Sequence, residues 1–259
     1  MRLAALVSGG KDSLSLLYLL NKIASKKLDF KLSALLVNEG IKGYRDETIK
    51  TAKNFCEKNN IQLHIATYKE ITGKTLDSIK KQFPDTIACS MCGVLRRYIL
   101  NKKSRELKAD KLATGHNLDD EAQAIIMNIF KANTDIAAHL GPISGINNHS
   151  LFVQRVKPLY FCTEKETKLY SLIKKFPVQF IECPYANEGL RSNIRDMLND
   201  FETKYKGTKQ GIINSFLAML PLLKQQAKQN FDEIKICQQC QEPAHQDICN
   251  TCKIQSLLT

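Results

Sequence analysis

Leu6-Val7-Ser8-Gly9-Gly10-Lys11-Asp12-Ser13-Leu14 is the stretch whose reading decides the fold of this chain. The run from Arg2 to Val7 is short, mostly apolar and closed by two glycines, as a buried strand is. Behind it, Leu14, Leu17, Leu19, Leu20 and Ile23 recur at helical spacing. A strand, a glycine turn and a helix together aim free backbone N–H groups and the positive end of a helix dipole at an anion. Glycine leaves room for phosphate oxygens where a Cβ would intrude. Ser8, Gly9, Gly10, Lys11, Asp12 and Ser13 are therefore the candidate phosphate-binding residues.

The Walker A pattern does not fit, because Ala5 stands where its first glycine belongs and Asp12, not Ser or Thr, follows Lys11. The bulk composition agrees with a folded enzyme. A chain of 259 residues with 43% hydrophobic content can build one large or two small cores. No window approaches the roughly 18 apolar residues of a membrane helix, and the N-terminus enters a strand with no charged-then-apolar leader. A cytoplasmic protein with no membrane partner is expected. The 38 basic residues exceed the 26 acidic ones, leaving +12, which suits a polyanionic partner without naming it.

Moving outward, Phe30–Val37 reads as a second strand ending at Asn38-Glu39-Gly40, Asp46–Lys58 as a helix, and Ile61–Ala66 as a third strand. Strands alternating with helices imply βαβ crossovers and a parallel sheet, with ligands bound beyond the carboxyl ends of the strands, where Ser8–Ser13 and Asn38 sit. Lys111–Thr114 is a fourth strand, followed by Gly115-His116-Asn117-Leu118-Asp119-Asp120-Glu121 at a helix start. Acidic residues there serve capping, and Asp119 and Asp120 also offer the carboxylates that Mg²⁺ needs beside nucleotide phosphates. Gly73–Pro84 is polar and of undefined form, and Lys131–Ser150 reads as a loop or flap. Val153–Val156 suggests a last strand, and Thr163-x-x-Glu166 opens a helix as a capping box. Phe176–Ile181 reads as an extended segment that delivers Cys183. The helix from Gly207 to Asp232 should kink or break at Pro221.

Seven of the nine cysteines are patterned, whereas Cys56 and Cys162 read as packing thiols. In a reducing compartment the seven are metal ligands or redox groups, not disulfides. Cys89-x2-Cys92 begins a basic helix carrying Arg96 and Arg97. Cys237-x2-Cys240-x8-Cys249-x2-Cys252 forms two knuckles with the spacing of a four-thiolate zinc ribbon. The domains expected are 1–232, an α/β nucleotide-binding domain with a helical C-terminal part, and 233–259, the ribbon.

SGGKDS at 8–13, CSMCGVLRRYILN at 89–101, ATGHNLDDEA at 113–122 and ECPYANEGLRSNIRDMLNDFE at 182–202 stand in order ahead of the ribbon. Together they resemble the TtcA/TtuA superfamily of tRNA thiolases, which are PP-loop ATP pyrophosphatases, and within it the 2-thiouridine branch. The resemblance implies an α/β, Rossmann-like (HUP-type) parallel sheet with flanking helices and a small C-terminal zinc ribbon. It also implies ATP, Mg²⁺, a 4Fe-4S cluster on Cys89, Cys92 and Cys183, and Zn²⁺ on Cys237, Cys240, Cys249 and Cys252. The implied reaction adenylates a tRNA uridine at its C2 oxygen and replaces that oxygen with sulfur. Asp120 matches the family's catalytic acidic position; Cys89, Cys183 and Arg96 join it in the reaction, and Gly115, Asp119 and Asn38 contact the nucleotide. Arg96 stands where the family usually has lysine, and keeps its charge without easily exchanging a proton. The implied partners are tRNA, a sulfur donor (sulfide, a cysteine desulfurase or a ubiquitin-like thiocarboxylate protein) and a second copy in a homodimer. Three rival readings remain: a PP-loop ligase with a nitrogen nucleophile, such as a lysidine synthetase; a redox pair at Cys89 and Cys92 relaying persulfide sulfur; and a non-catalytic, zinc-stabilised RNA-binding subunit.

Overall fold

In the computed structural model, which describes residues 1–27, 29–145, 150–230 and 234–258, the chain runs in the following order. β1 (Arg2–Leu6), α1 (Lys11–Ala24), β2 (Lys31–Asn38), α2 (Tyr44–Lys58) and β3 (Gln62–Thr67) come first. They are followed by α3 (Tyr68–Thr72), α4 (Leu76–Gln82), α5 (Ala88–Glu106), β4 (Lys111–Ala113), α6 (Leu118–Phe130), α7 (Thr134–Ala138) and β5 (Gln154–Val156). The chain closes with α8 (Glu164–Ile173), α9 (Leu190–Lys204), α10 (Thr208–Asn230), β6 (Lys235–Ile236), β7 (Pro243–Ala244) and α11 (Asn250–Leu258).

The main sheet has the order β3-β2-β1-β4-β5 and all its pairings are parallel. Side chains alternate across it, so successive residues of β1 feed two cores. Leu3, Ala5 and Val7 pack with Leu14, Leu16, Leu17 and Phe55 under α1 and α2. Ala4, with Leu35 and Val37 of β2, packs with Leu76, Ile79, Leu95 and Ile99 on the opposite face. The sheet reverses direction of growth between β1 and β4, and such a switch point opens a crevice at the strand ends. Leu6 leads from that end of β1 into the glycine turn. A third core, built on Leu118, Ile125, Ile194, Leu198, Ile213 and Phe216, joins α6, α9 and α10. The ribbon strands β6 and β7 pair antiparallel in a two-stranded sheet of their own.

The expected parallel α/β fold is therefore present, with local differences. Phe176–Ile181 is not in any strand. Its apolar residues cover the edge of a helix layer instead: the Phe176 ring lies 5.3 Å from those of Tyr18 and Phe55, so the apolar content reflects packing and not a ladder. Gly73–Pro84 contains α4 with Thr75 as its N-cap, and the stretch read as a flap contains α7; residues 146–149 of that stretch lie outside the described residues. α10 continues across Pro221 instead of ending there. The boundary expected at 232/233 also lies outside the described residues.

Candidate active site

The glycine turn is built by its own serines. Ser8 N–H and Oγ each lie 3.1 Å from Ser13 Oγ, which also donates to the Gly10 carbonyl at 2.9 Å. Gly9 has φ +86°, and a Cβ placed on it would lie 2.4 Å from the Thr48 carbonyl oxygen. Glycine is required there twice over, by conformation and by space. Gly10 is the N-cap of α1 and supplies no side-chain acceptor. Uncapped N–H groups of the first turn are donors for an anion.

Around this turn the structure gathers most of the residues picked out from the sequence. Gly115 crosses directly over the start of α1, where an added Cβ would lie 3.1 Å from Ser13 N. Asn38 ends β2 and its Oδ1 accepts the Gly40 N–H at 2.8 Å. Lys11 Nζ pairs with Asp12 at 2.8 Å and Glu164 at 2.9 Å. Burial opposes its charge, yet the two carboxylates prevail and raise its pKa. Asp12 Oδ1 accepts from Thr167 Oγ1 at 2.5 Å and from Asn117 Nδ2 at 3.2 Å.

Asp119 and Asp120 divide the work at the head of α6. Asp119 accepts the Glu164 N–H at 2.7 Å and pairs with Lys209. Asp120 completes a capping box, taking the Asn117 N–H at 3.3 Å while its own N–H donates to Asn117 Oδ1 at 3.0 Å. Its other oxygen holds Arg191 at 2.9 Å. Capping chemistry thus accounts for part of Asp120, which the sequence reading assigned chiefly to metal and catalysis. Burial raises the Asp120 pKa, the Asp12 carboxylate adds to the rise, and Arg191 and the Asn117 N–H oppose it. Glu121 faces away to Lys157 at 2.7 Å.

His116 opens onto the same crevice, with Nδ1 2.9 Å from Thr114 Oγ1. Neighbouring protein atoms first, and then the cations Lys157, Arg191, Arg155 and Arg96, lower the pKa of the solvent-exposed His116 ring. The folded value lies below the ordinary one, so protonation favours the unfolded chain and stability from this group declines as the pH falls below about 6.5. We expect the His116 ring resonances in NMR spectra to show no titration between pH 8 and 6; a midpoint near 6.5 would contradict this environment.

The cysteines of α5 stand next to the glycine turn. Cys92 is buried, Cys183 half-buried and Cys89 exposed. Cys89 Sγ lies 3.4 Å from the Tyr185 carbonyl oxygen, in the segment that carries Cys183, and the charges of Cys89 and Cys92 both help raise the Cys183 pKa, after burial. Cys92 Sγ receives two hydrogen bonds at 3.2 Å, from Tyr68 Oη and from Arg96 Nη2. Donors aimed at a sulfur stabilise a thiolate or a metal-bound thiolate.

A buried network that the sequence did not reveal joins the two halves. Glu39 is 1% exposed. Its Oε1 accepts from Arg45 Nη2 at 2.7 Å and Arg96 Nη2 at 2.8 Å, and its Oε2 accepts from Arg45 Nε. Arg45 then donates through Nη1 to the Ser8 carbonyl at 3.0 Å. The contacts run unbroken from Ser8 through Arg45, Glu39 and Arg96 to Cys92. Burial would raise the Glu39 pKa, but the two arginines hold it below the ordinary carboxylate range.

The ribbon cysteines form a second centre. The Sγ atoms of Cys237, Cys240, Cys249 and Cys252 all lie within 4.8 Å of one another. The closest contacts, 3.6 Å for Cys240 with Cys249 and 3.8 Å for Cys237 with Cys252, are well beyond a disulfide length of about 2.05 Å. This is the donor set and compactness of a structural zinc site. Cys56 is buried in the α2 core and stands apart from both centres.

Comparison with known proteins gives a consistent picture. Residues 1–200 match the PP-loop domain family. The chain is 38% identical over 256 residues to the tRNA-5-methyluridine(54) 2-sulfurtransferase of Pyrococcus horikoshii, covering 99% of this chain and 79% of that one. It is 33% identical to the tRNA 2-thiolation protein NcsA of Haloferax volcanii, over 96% of this chain and 79% of the relative. Among solved structures it is similar to the U34-tRNA thiolase NcsA of Methanococcus maripaludis with its 4Fe-4S cluster. That match has a TM-score of 0.85 at 35% identity, covering 100% of this chain and 81% of the other.

Proposed function

We propose, from a chain that belongs to the PP-loop family together with the tRNA 2-thiolation proteins, that this protein is an ATP-dependent tRNA-uridine 2-sulfurtransferase. The observation that carries the reading is the adjacency of an uncapped phosphate turn and a three-cysteine set, tied together through Arg45, Glu39 and Arg96. A ligase using a nitrogen nucleophile has no use for the second half of that arrangement.

ATP phosphates lie over the N–H groups of Gly9 to Ser13, and Lys11 turns from Asp12 and Glu164 toward them. One or two of Asp12, Asp119 and Asp120 hold Mg²⁺ against the same phosphates. The uridine C2 oxygen attacks the α-phosphorus, the bond to the β-phosphate oxygen breaks, and pyrophosphate leaves. This converts a poor leaving oxygen into an adenylate. Sulfide sulfur then adds at C2, the C2–O bond breaks, and AMP departs with that oxygen. Asp120 and Arg191 stand where charge changes during both steps.

Cys89, Cys92 and Cys183 fit a 4Fe-4S cluster. They supply three thiolates with donors aimed at one of them, and among the described residues they do not close to the single-ion spacing found in the ribbon. Held by these three thiolates, such a cluster would supply a place for the incoming sulfur. Tyr68 and Arg96 orient the Cys92 sulfur and offset its charge. The ribbon cysteines hold zinc, which fixes the ribbon against α5. The cytoplasm is the compartment in keeping with relatives named cytoplasmic tRNA 2-thiolation proteins, and no described helix is long and apolar enough to cross a membrane.

The test is nucleoside analysis of tRNA after anaerobic incubation with ATP, Mg²⁺ and sulfide, beside iron and zinc assays of the reconstituted protein. A 2-thiouridine that depends on ATP, and that falls about 10³-fold or more in Asp120→Ala, is expected. An undiminished product from Asp120→Ala would remove that residue from the reaction. Near-zero iron after reconstitution would exclude the cluster.

A further inference from the structure

A cavity of about 1100 Å³ lies between α5, the β5 edge of the sheet and the ribbon; of the residues used above, it touches the ribbon ligand Cys249. Two guanidiniums line it. Arg97 follows Arg96 on α5, folding back so that its Nη1 lies 3.3 Å from where a Gly93 Cβ would be. Arg155 sits in β5 in register with Leu112 of β4. Among the described residues, neither guanidinium makes a hydrogen bond or an ion pair. The acids within reach are already engaged: Glu121, whose charge Arg155 feels, pairs with Lys157 at 2.7 Å, and Glu242 on the cavity wall pairs with Arg105 at 2.9 Å. Burial first, and then the neighbouring Arg97, lower the Arg155 pKa. Two guanidiniums that line one cavity and find no protein counter-charge are open to an incoming anion.

The same Arg155 contributes to the positive field at His116, together with Arg96, Arg191 and Lys157. Tyr98 and Phe152 also line the cavity, Phe152 being 41% exposed. Aromatic faces beside guanidiniums suit an unpaired RNA strand, whose bases stack while its phosphates are bound.

We propose that Arg97 and Arg155 clamp a backbone phosphate of the tRNA substrate next to the nucleotide being modified, in a cavity roofed by the ribbon. This deepens the tRNA reading above and rests on it. The same chemistry would also hold free pyrophosphate, so the test carries both ligands.

The experiment measures the Kd of unmodified tRNA for the full-length, zinc-loaded protein across a salt series, in wild type, in Arg97→Gln/Arg155→Gln and in Arg97→Lys/Arg155→Lys. Pyrophosphate binding by calorimetry runs alongside. The glutamine pair should weaken tRNA binding about tenfold or more and flatten the slope of log K against log salt by about 0.7 to 1 unit, the loss of one phosphate contact. The lysine pair should keep the slope. ATP affinity and zinc content unchanged from wild type show that the variants are folded. A slope and Kd unaltered by the glutamine pair, with wild type binding tRNA tightly, overturn this inference alone. Loss of pyrophosphate binding with tRNA binding intact also overturns it. Failure of the wild type itself to bind tRNA overturns the substrate reading along with it.

Discussion

Gly9→Ala is expected to destroy nucleotide binding and to destabilise the protein by about 2–5 kcal/mol, the sum of forcing a side chain into the left-handed region and of overpacking. The added methyl would sit 2.4 Å from the Thr48 carbonyl oxygen and 3.0 Å from its carbonyl carbon and Cα. These are backbone atoms of α2, so no rotamer change relieves the clash. Either α2 moves or the turn does. Moving α2 disturbs Arg45, which carries the Ser8 carbonyl; moving the turn misdirects the N–H groups that receive phosphate. Urea denaturation and ATP titration measure the two consequences separately. Gly10→Ala is the control for stability, because φ there is ordinary and the nearest atom to an added Cβ is Ser8 Oγ at 3.5 Å. A Gly9→Ala protein with wild-type midpoint and ATP affinity would refute this account of the turn.

Glu39→Gln is expected to cost about 3–5 kcal/mol at neutral pH, because removing one partner from a buried ion pair leaves the other uncompensated. The guanidinium left behind is that of Arg45, 5% exposed; Arg96, whose side chain is 43% exposed, contributes little to the loss since water can serve it. The sign with pH follows from the lowered Glu39 pKa. A carboxylate whose folded pKa lies below its unfolded value stabilises the native state above the unfolded pKa, and that contribution fades as pH drops through the folded one. The stability gap between wild type and Glu39→Gln should therefore be full at pH 6–7 and narrow below about pH 4.5. A gap constant with pH would show that the loss is packing and not charge. Weaker ATP binding in the same variant is expected, since Arg45 would no longer be held against Ser8.

The two parts of the site differed in how much of them could be read from the sequence. The glycine turn was legible because its chemistry is local: six consecutive residues specify strand, turn and helix start, and no other arrangement uses them. The four ribbon cysteines were legible for the same reason. Glu39 and Arg45 were not, because a Glu after a strand and an Arg near a helix start look like ordinary solvated charge until β2 and α2 are packed. The clue available was Glu39-Gly40 directly after the apolar run of β2, at the end of the sheet where ligands bind. Asp120 stands beside Asn117 and Arg191 at the head of α6, and its capping-box bond to Asn117 was underweighted in the sequence. The segment before Cys183 is irregular and pairs with no strand, because Phe176 and Val178 pack partly buried against the core under α1 and α2. Arg97 and Arg155 lie 58 residues apart, and only the pairing of β4 with β5 beside α5 brings them to one cavity.

The bond from Thr167 Oγ1 to Asp12 Oδ1 spans 155 residues of chain, and this has a consequence for synthesis. Gly115, Asp119, Glu164 and Thr167, which wall in the glycine turn, are made much later than the turn itself. At about 5–20 residues per second, Asp12 waits roughly 10–30 s for Thr167 to be added. The central strand β1 likewise lacks β4, its second neighbour, until about a hundred residues after it is made. Until β4 is made β1 exposes an unpaired apolar strand edge, and until Thr167 is made the nucleotide site cannot close, which makes this interval the period when the newborn protein most needs protection from aggregation.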